Sequence, residues 1–152
     1  MLKEGDKAPY FSGVDQDGKN VTLDDFKGHR LILYFYPKDN TSGCTAEACS
    51  LRDGYAELRR DGFEVVGVSP DSGKSHQGFI AKHSLPFTLI DDTDKTIAMS
   101  YGAWGLKKFR GREYMGILRT TFVIDGNGII EKVFTKVNTK DHFGQIAEAY
   151  RK

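Results

Sequence analysis

The chain has 152 residues, which is the length of one domain and enough to bury an ordinary core without cross-links. Its net charge of +1 gives no broad electrostatic case for binding nucleic acid or an anionic membrane. No apolar run approaches the ~20 residues of a membrane span. We therefore expect a single globular domain over residues 1–152, with neither nucleic acid nor membrane as a partner.

The N-terminal stretch MLKEGDKAPYFSGVDQDG is polar from its third residue, which indicates a cytoplasmic protein. A transit peptide removed earlier would leave no trace, so a processed organellar form stays open. In a reducing compartment a lone pair of cysteines is more often catalytic or redox-sensing than structural. The two cysteines of this chain therefore direct the search for function.

Apolar runs and turn signals divide the first half of the chain into strands and helices. Asp17-Gly18 lies between two short alternating stretches and predicts an N-terminal hairpin. The run LILYFY, residues 31–36, predicts a strand that is buried on both faces. From Ala48 onward, apolar residues recur every three or four positions and predict an amphipathic helix that ends at a glycine cap, Gly62.

The second half repeats this pattern. FEVVGVSP and PFTLIDD predict strands, whereas SGKSHQGFIAKHSL and TDKTIAMSYGAW predict helices. TTFVIDGNGIIEKVF predicts a hairpin, and TKDHFGQIAEAYRK predicts a closing helix. Strands that alternate with helices pair in parallel, and a terminal hairpin adds an antiparallel edge. The prediction is an α/β fold with a mixed central sheet and helices on both faces.

The loop PKDNTSGCT follows the 31–36 strand, at the carboxyl edge where such sheets gather their ligand chemistry. Thr41 or Ser42 is the predicted N-cap of the next helix, which puts Cys44 in its first turn. A helix N-terminus favours a thiolate, the reactive form of cysteine. Thr41 also offers a hydroxyl to a bound oxygen species, and Pro37 ends the strand rigidly. The loop is therefore a candidate site for a nucleophilic thiol.

Cys44 and Cys49 also admit other interpretations. They could form a metal site or a structural disulfide, or be buried spectators, and Pro37 and Thr41 taken singly are an ordinary strand end and an ordinary cap. Their spacing is not the CxxC of a zinc knuckle or of a disulfide reductase, and no histidine has ligand spacing. The chain has no glycine-rich phosphate loop. Taken alone, the residues leave a reactive thiol and a spectator pair open.

Pro37, Thr41 and Cys44 together spell PxxxTxxC, and here the chain resembles the peroxiredoxins, thiol-dependent peroxidases with a thioredoxin-like fold. The stretch YFYPKDNTSGCTAEACSLRD is more narrowly similar to the Q-type, or bacterioferritin comigratory protein, subfamily, in which a second cysteine follows five positions after the first. The likeness continues through VVGVSPDS, LPFTLIDD, YGAWG, YMGILRTTFVID and KVNTKDH. Ser42 departs from the proline frequent at that position, although serine also caps helices.

The resemblance implies a role for each residue of the site. Cys44 would be the peroxidatic thiolate, which attacks a peroxide and becomes a sulfenic acid, and Cys49 would be the resolving thiol. Thr41 would hold the peroxide oxygens. Arg119, in ILRTTF, would stabilise the thiolate and the leaving oxygen, or else be a surface ion-pair residue. Glu47, one helical turn after Cys44, would orient Arg119 or face water.

The resemblance also implies partners. Hydrogen peroxide or an organic hydroperoxide would be the substrate, and thioredoxin or a similar dithiol protein would reduce a Cys44–Cys49 disulfide. It implies no metal, nucleotide or flavin cofactor, and a monomer, since the resolving cysteine lies in the same chain. Two other function classes stay open, namely a peroxide sensor or relay that uses the same cysteine and a non-catalytic binding module.

The spacing of CTAEAC sets a geometric condition on this chemistry. In one helix the two Cα atoms would lie roughly 8 to 9 Å apart with side chains about 140° apart. A disulfide needs a Cα separation below about 7 Å and converging side chains. An intact helix and a Cys44–Cys49 bond therefore exclude one another. If Cys49 resolves the sulfenic acid, the segment from Thr41 to about Ser50 must unwind in every cycle.

The run KKFRGR, residues 107–112, carries four positive charges in six residues. Such a run is typical of a solvated face, with partner docking as the alternative. The aromatic residues on either side of it, Trp104 and Tyr114, are candidates for a wall of the site or for ordinary packing. No strand or helix is predicted over this run.

Overall fold

The computed structural model describes residues 2–151, which form nine strands and five α-helices. The strands are β1 (Ser12–Asp15), β2 (Asn20–Thr22), β3 (Arg30–Phe35), β4 (Phe63–Ser69), β5 (Thr88–Asp91), β6 (Trp104–Phe109), β7 (Arg112–Ile117), β8 (Thr120–Ile124) and β9 (Ile130–Phe134). The helices are α1 (Ser42–Asp53), α2 (Tyr55–Arg60), α3 (Gly73–His83), α4 (Thr96–Ser100) and α5 (His142–Tyr150). Met1 and Lys152, which belong to the predicted domain, lie outside the described residues. None of the described helices is both long and apolar enough to cross a bilayer.

Within residues 2–151, seven strands form one mixed sheet in the order β2-β1-β5-β4-β3-β8-β9. β3, β4 and β5 run parallel, whereas β1 pairs with β5 and β8 pairs with β3 in antiparallel fashion. The β1–β2 and β8–β9 hairpins are both present. The mixed sheet and the two hairpins predicted from the sequence are therefore confirmed.

Helices cover both faces of the sheet, as predicted, but they cover them unequally. Side chains alternate between the two faces of a strand, so Leu31, Leu33 and Phe35 of β3 enter one core and Ile32 and Tyr34 enter the other. The first core is closed by α4 and by the segment before β1, and the second by α1, α2, α3 and α5. Every residue of β3 after its first is buried, since both faces are covered.

The helix predicted from Ala48 to Gly62 is in fact two helices, so the prediction of one continuous helix is wrong. Gly54 lies between α1 and α2 with φ −95° and ψ 1°, outside the helical range. The ring of Phe143 from α5 lies directly against it, and a Cβ at this position would overlap the ring. The periodicity of apolar residues continues across the break, so the sequence pattern alone did not reveal the close approach of α5.

The region after β5 also differs from the prediction. The predicted helix TDKTIAMSYGAW contains only the five residues of α4, because the chain turns into β6 at Trp104. β6 and β7 form a two-stranded sheet of their own, which turns at Arg110 and Gly111, both with positive φ. The basic run 107–112 is thus the end of an unpredicted hairpin. Its apolar side chains stay exposed, so they do not mark a buried strand face.

Candidate active site

The loop between β3 and α1 delivers Cys44 to the edge of the sheet. α1 begins at Ser42, and Cys44 lies in its first turn with 1% of its surface exposed. Thr41 occupies the N-cap position in an extended conformation, but its side chain does not cap the helix. Its hydroxyl instead donates a hydrogen bond to the carbonyl of Lys38 at 2.8 Å. The first N–H groups of α1 therefore stay free for a bound oxygen atom.

Arg119 reaches the sulfur from the neighbouring strand. It directly precedes β8, and the β3–β8 register sets Thr120 opposite Phe35, the last residue of β3. The guanidinium donates from Nη2 to Cys44 Sγ at 3.3 Å and from Nη1 to Glu47 Oε1 at 2.6 Å. Burial works against its charge, but the charges of Cys44 and Glu47 outweigh burial and raise the pKa of Arg119. A fixed cation thus lies against the thiol.

Glu47 lies beneath this cation and is fully buried. Burial raises its pKa to about 7, although the charge and the hydrogen bond of Arg119 act in the opposite direction. Its second oxygen, Oε2, has no hydrogen-bond partner among the described residues and lies 3.7 Å from His142 Nε2. The side chain therefore faces Arg119 and not water.

His142, the first residue of α5, closes the floor of the site as a neutral ring. Gln145 turns its Oε1 toward His142 Nδ1 at 2.9 Å, and two backbone groups hold the amide in that orientation. Burial lowers the pKa of His142 to about 4, so Nδ1 donates and Nε2 accepts from the Thr121 hydroxyl at 2.8 Å. His142 thus has no proton to offer Glu47, and the negative charge of Glu47 is met by Arg119.

The loop itself is anchored by a buried ion pair. Asp39 is 4% exposed and accepts hydrogen bonds from the Tyr36 hydroxyl at 2.6 Å, the Ser75 hydroxyl at 2.8 Å and His76 Nδ1 at 2.8 Å. His76 Nε2 contacts a backbone carbonyl of β5 at 2.9 Å, so both ring nitrogens donate and the ring is positive. α3 is thereby tied to the middle of the Pro37–Thr41 loop.

The sequence interpretation missed this anchor. Asp39, Asp71 and His76 bring their ligand atoms within 4.8 Å of one another, which is a metal-like grouping. Hydrogen bonds already engage both oxygens of Asp39, and Asp71 accepts the Asp39 N–H at 2.8 Å. The available signal was that His76 and Phe79 share one helical face, which predicts a buried histidine, and a buried histidine requires a partner.

Cys49 lies on the same helix as Cys44 but in different surroundings. Both cysteines are free thiols, and α1 is continuous from one to the other. Cys49 is half-buried, and its Sγ lies 3.9 Å from His83 Nδ1 of α3. The geometry expected for the reduced state is therefore present, with Cys49 the more exposed of the two thiols.

The β6–β7 hairpin adds a second cation near the site. Burial and the charge of Arg119 lower the pKa of Lys107, while the charge of Cys44 acts in the opposite direction. Lys107 is thus within electrostatic range of the thiol and of Arg119. Trp104 packs against the first core, and Tyr114 is exposed.

Comparisons with known proteins give one family over most of the chain. A family profile described as the AhpC/TSA family matches residues 4–133. Peroxiredoxin Bcp of Escherichia coli is 48% identical over 141 residues, which are 93% of this chain and 90% of the relative. Peroxiredoxin Bcp of Bacillus subtilis is 46% identical over 148 residues, 97% of this chain and 92% of the relative.

Solved structures agree with this likeness. The bacterioferritin comigratory protein of Xanthomonas campestris, described for its alkyl peroxide reduction activity, superposes with a TM-score of 0.86 at 32% identity, covering 91% of this chain and 88% of its own. A PrxQ mutant of Xylella fastidiosa gives a TM-score of 0.91 at 28% identity, covering 98% and 95%. The thioredoxin-like fold predicted from the sequence is confirmed.

The Asp39–His76 pair predicts a pH-dependent stability. Burial is the largest single effect and opposes both charges, but the mutual hydrogen bond and charge, together with the bonds from Tyr36 and Ser75 to Asp39 and from His76 to the backbone of Ile90, outweigh it. The pKa of Asp39 is therefore lowered below 3.8, and the pKa of His76 is raised above 6.5. The contribution of His76 to stability is complete below pH 6.5 and is lost as pH rises through the pKa of His76 in the folded protein. The contribution of Asp39 is lost as pH falls through the pKa of Asp39 in the folded protein. The pair therefore stabilises the fold most between pH 3.8 and pH 6.5.

We expect His76→Gln to lower the free energy of unfolding by about 3 kcal/mol near pH 5.5, since one buried partner loses its counter-charge. The loss should be smaller near pH 9, because the contribution of the pair declines as pH rises through the raised pKa of His76. Urea unfolding at both pH values measures it. His29→Gln is the control, because His29 is exposed. An equal loss at both pH values would contradict the charged pair.

Proposed function

We propose that Cys44 is the peroxidatic thiol of this chain. The chain belongs to the AhpC/TSA family and, within it, to the Q-type or Bcp peroxiredoxins. The chain is a thiol-dependent peroxidase. The observation that carries the assignment to Cys44 is the 3.3 Å contact between its sulfur and Arg119 Nη2, at the uncapped N-terminus of α1. Among the described residues no arginine donates a hydrogen bond to the sulfur of Cys49, which lies in the middle of the helix.

The first step is a displacement on oxygen. Cys44 Sγ forms a bond to one peroxide oxygen, the O–O bond breaks, and the other oxygen leaves with a proton as water or an alcohol. Cys44 becomes a sulfenic acid. Arg119 and the free N–H groups of α1 stabilise the negative charge that passes from sulfur to the leaving oxygen. The Thr41 hydroxyl donates its hydrogen bond to the backbone carbonyl of Lys38, so its oxygen is available to accept a hydrogen bond from the peroxide.

Two further residues position these groups. Glu47 holds Arg119 at 2.6 Å, which directs the second arm of the guanidinium to the sulfur. Pro37 sets the direction in which the chain leaves β3 and contributes no N–H that would compete for the oxygen atoms. Buried Asp39 then fixes the middle of the loop. Glu47 and Pro37 act through Arg119 and Thr41 and do not touch the peroxide.

Cys49 is proposed as the resolving thiol. It attacks the sulfenic acid of Cys44, the S–O bond breaks, and water leaves as the disulfide forms. Because Cys44 and Cys49 lie in one continuous helix, the turns that separate them must unwind for the sulfurs to meet. Thioredoxin, or a similar dithiol protein, then reduces the exposed disulfide, as is typical of the family.

The proposed substrates are hydrogen peroxide and organic hydroperoxides. The Xanthomonas campestris relative is described for alkyl peroxide reduction, which supports the second class. A sensor or relay would use the same Cys44, but it would not sustain turnover when thioredoxin is supplied. A single domain over residues 1–152, a monomeric state and a cytoplasmic location stay predictions, as does the absence of a cofactor.

Cys44→Ser should abolish peroxide consumption without unfolding the protein, because a serine hydroxyl stays protonated at neutral pH. Steady-state consumption of hydrogen peroxide, with thioredoxin and its reductase supplied, measures this. Ser50→Ala is the matched control on the same helix, since Ser50 contacts a backbone N–H of α5 and not the thiol. Substantial turnover in Cys44→Ser would overturn the assignment.

The raised pKa of Glu47 predicts that the rate of the first step, the oxidation of Cys44 by peroxide, depends on pH. Its pKa of about 7 means that it is charged above that pH and takes up a proton as pH falls from about 8 to 6. The pairing with Arg119 then weakens, and Cys44 oxidation should slow with an inflection near pH 7. Stopped-flow oxidation, with thiolate absorbance recorded in parallel, separates this inflection from titration of the thiol.

In Glu47→Gln the inflection should disappear. The rate of Cys44 oxidation near pH 8 should fall roughly tenfold, because one charge-assisted hydrogen bond is lost. Glu57→Gln, an exposed carboxylate on α2, is the control and should retain the parent profile. A faster rate in Glu47→Gln would mean that Glu47 competes with the thiolate for Arg119 and does not position it.

Oxidation should loosen α1. After one equivalent of peroxide, amide hydrogen exchange should show lower protection of residues 46–51 than in the reduced protein. Cys49→Ser should keep its protection and lose thioredoxin-dependent turnover, because no intramolecular disulfide forms. Cys44→Ser treated with peroxide is the control for direct damage. Unchanged protection in the parent protein, or full turnover in Cys49→Ser, would contradict Cys49 as the resolving thiol.

A further inference from the structure

The sulfur of Cys49 has a base beside it. His83 Nδ1 lies 3.9 Å from Cys49 Sγ, in hydrogen-bond contact with the thiol. Neither residue takes part in the Cys44–Arg119–Glu47 cluster, and His83 comes from a different helix. A histidine ring is the side chain best suited to exchange a proton with a thiol near neutral pH.

The position of this ring is fixed from two sides. Phe79, one turn earlier on α3, meets it edge-on with ring centres 5.3 Å apart. Arg52 of α1 donates from Nη1 to the backbone carbonyl of His83 at 2.7 Å. That bond ties the second half of α1 to the end of α3, one turn beyond Cys49. The side chains of Arg52 from α1 and Phe79 from α3 thus hold His83 beside the thiol.

The surrounding charges favour transfer of the thiol proton to His83. His83 is the last residue of α3, where the negative end of the helix dipole stabilises a positive ring. The cation of Arg52 stabilises a thiolate on Cys49. The pKa of Arg52 is raised first by its hydrogen bond to Asp53, with burial opposing and the charge of Cys49 adding to the rise. His83, Arg52 and Asp53 are the charged or titratable groups in these contacts.

We propose that His83 is the general base of the resolving step, which takes the proton of Cys49 and so generates the thiolate that attacks the oxidised Cys44. This rests on the proposed role of Cys49. Cys49 passes its proton to His83 Nδ1, its sulfur forms the S–S bond with Cys44, and the S–O bond of the sulfenic acid breaks. The departing hydroxide takes up a proton and leaves as water, and His83 returns its proton to solvent. The hydroperoxide is the only oxidant in this sequence.

The contacts of His83 also determine which part of α1 moves. The Arg52–His83 bond keeps the turn that follows Cys49 against α3, whereas the turns before it must unwind. Cys44 therefore travels to Cys49, and the new disulfide forms beside His83. A base on α3 is useful only if the resolving sulfur remains there when the sulfenic acid arrives.

The first experiment needs no peroxide and so is independent of the peroxidase assignment. In reduced Cys44→Ser protein, Cys49 is the single thiol, and its rate of alkylation by iodoacetamide reports its thiolate fraction. Adding His83→Gln should slow alkylation at least about tenfold near pH 7. The two rates should converge at alkaline pH, where the thiol ionises unaided. Equal rates near pH 7 would overturn the proposal, as would an equal slowing at every pH, which marks a structural effect.

The second experiment follows resolution in otherwise unmodified protein. After one equivalent of hydrogen peroxide, rapid quenching and mass spectrometry give the rate at which the Cys44 sulfenic acid becomes the disulfide. His83→Gln should slow this step at least about tenfold near pH 7 but leave Cys44 oxidation unchanged, and added imidazole should restore part of the rate. His29→Gln is the control, because His29 is exposed and precedes β3.

The outcomes separate the two claims. Sulfenic acid that forms normally in His83→Gln and resolves at the parent rate overturns the role of His83 and leaves the peroxidase intact. Failure to form sulfenic acid in the parent protein removes the peroxidase chemistry, while the alkylation experiment still judges the Cys49–His83 pair. Sulfenic acid that never yields a Cys44–Cys49 disulfide overturns both the resolving role of Cys49 and the base.

Discussion

The guanidinium of Arg119 is the charge on which the site depends. It bridges a buried thiol and a buried carboxylate, Cys44 and Glu47, which would otherwise be two negative groups held close together in an apolar core. Two such groups cannot both ionise at low cost unless a cation lies between them. The geometry of the sheet provides that cation, because the antiparallel pairing of β8 with β3 puts Arg119 beside the start of α1.

The rest of the fold keeps this cluster in place. His142 closes the floor as a neutral ring, so it adds no second positive charge that would draw Glu47 away from Arg119. Asp39 and His76 hold the loop from the other side, through an ion pair that is buried and fully hydrogen-bonded. The site therefore rests on two separate ion pairs with separate supports. The Arg119–Glu47 pair sets the charge at the sulfur, and the Asp39–His76 pair sets the path of the backbone around it.

Local sequence patterns predicted most of the fold but not its long-range contacts. The sheet, both hairpins, the loop and the first turn with Cys44 followed from apolar runs, turn residues and a capping position. The break at Gly54 did not, because it is caused by Phe143 from a distant helix. The β6–β7 hairpin did not, because its exposed apolar side chains do not mark a buried face. Lys107 near the thiol was missed for the same reason.

The residues of the site divide in the same way, into those that a local sequence pattern shows and those that depend on long-range contacts. Pro37, Thr41 and Cys44 fall within one short motif. The resemblance to the peroxiredoxins added the roles of Arg119 and Cys49. Asp39, His76 and His142 are single polar residues that belong to no short motif, and each has a partner that lies far from it in the sequence. Contacts of this kind depend on topology, since they join the loop after β3 to α3 and β5, and α5 to β8. A single sequence shows such a residue as isolated, although in the fold it has two or three hydrogen bonds.

The break at Gly54 limits how far a local opening can spread. A continuous helix would share one ladder of i to i−4 hydrogen bonds, so unwinding that starts near Cys44 could propagate toward Leu58 and the core around it. Gly54 instead ends one ladder, since its N–H donates to the Ser50 carbonyl at 3.2 Å, and starts another, since its carbonyl accepts from Leu58 N–H at 3.0 Å. α1 is therefore a small cooperative unit with its own boundary. Its turns before Cys49 can unwind and form again while α2 and the sheet beneath stay folded, so reversible local unfolding need not lead to global unfolding.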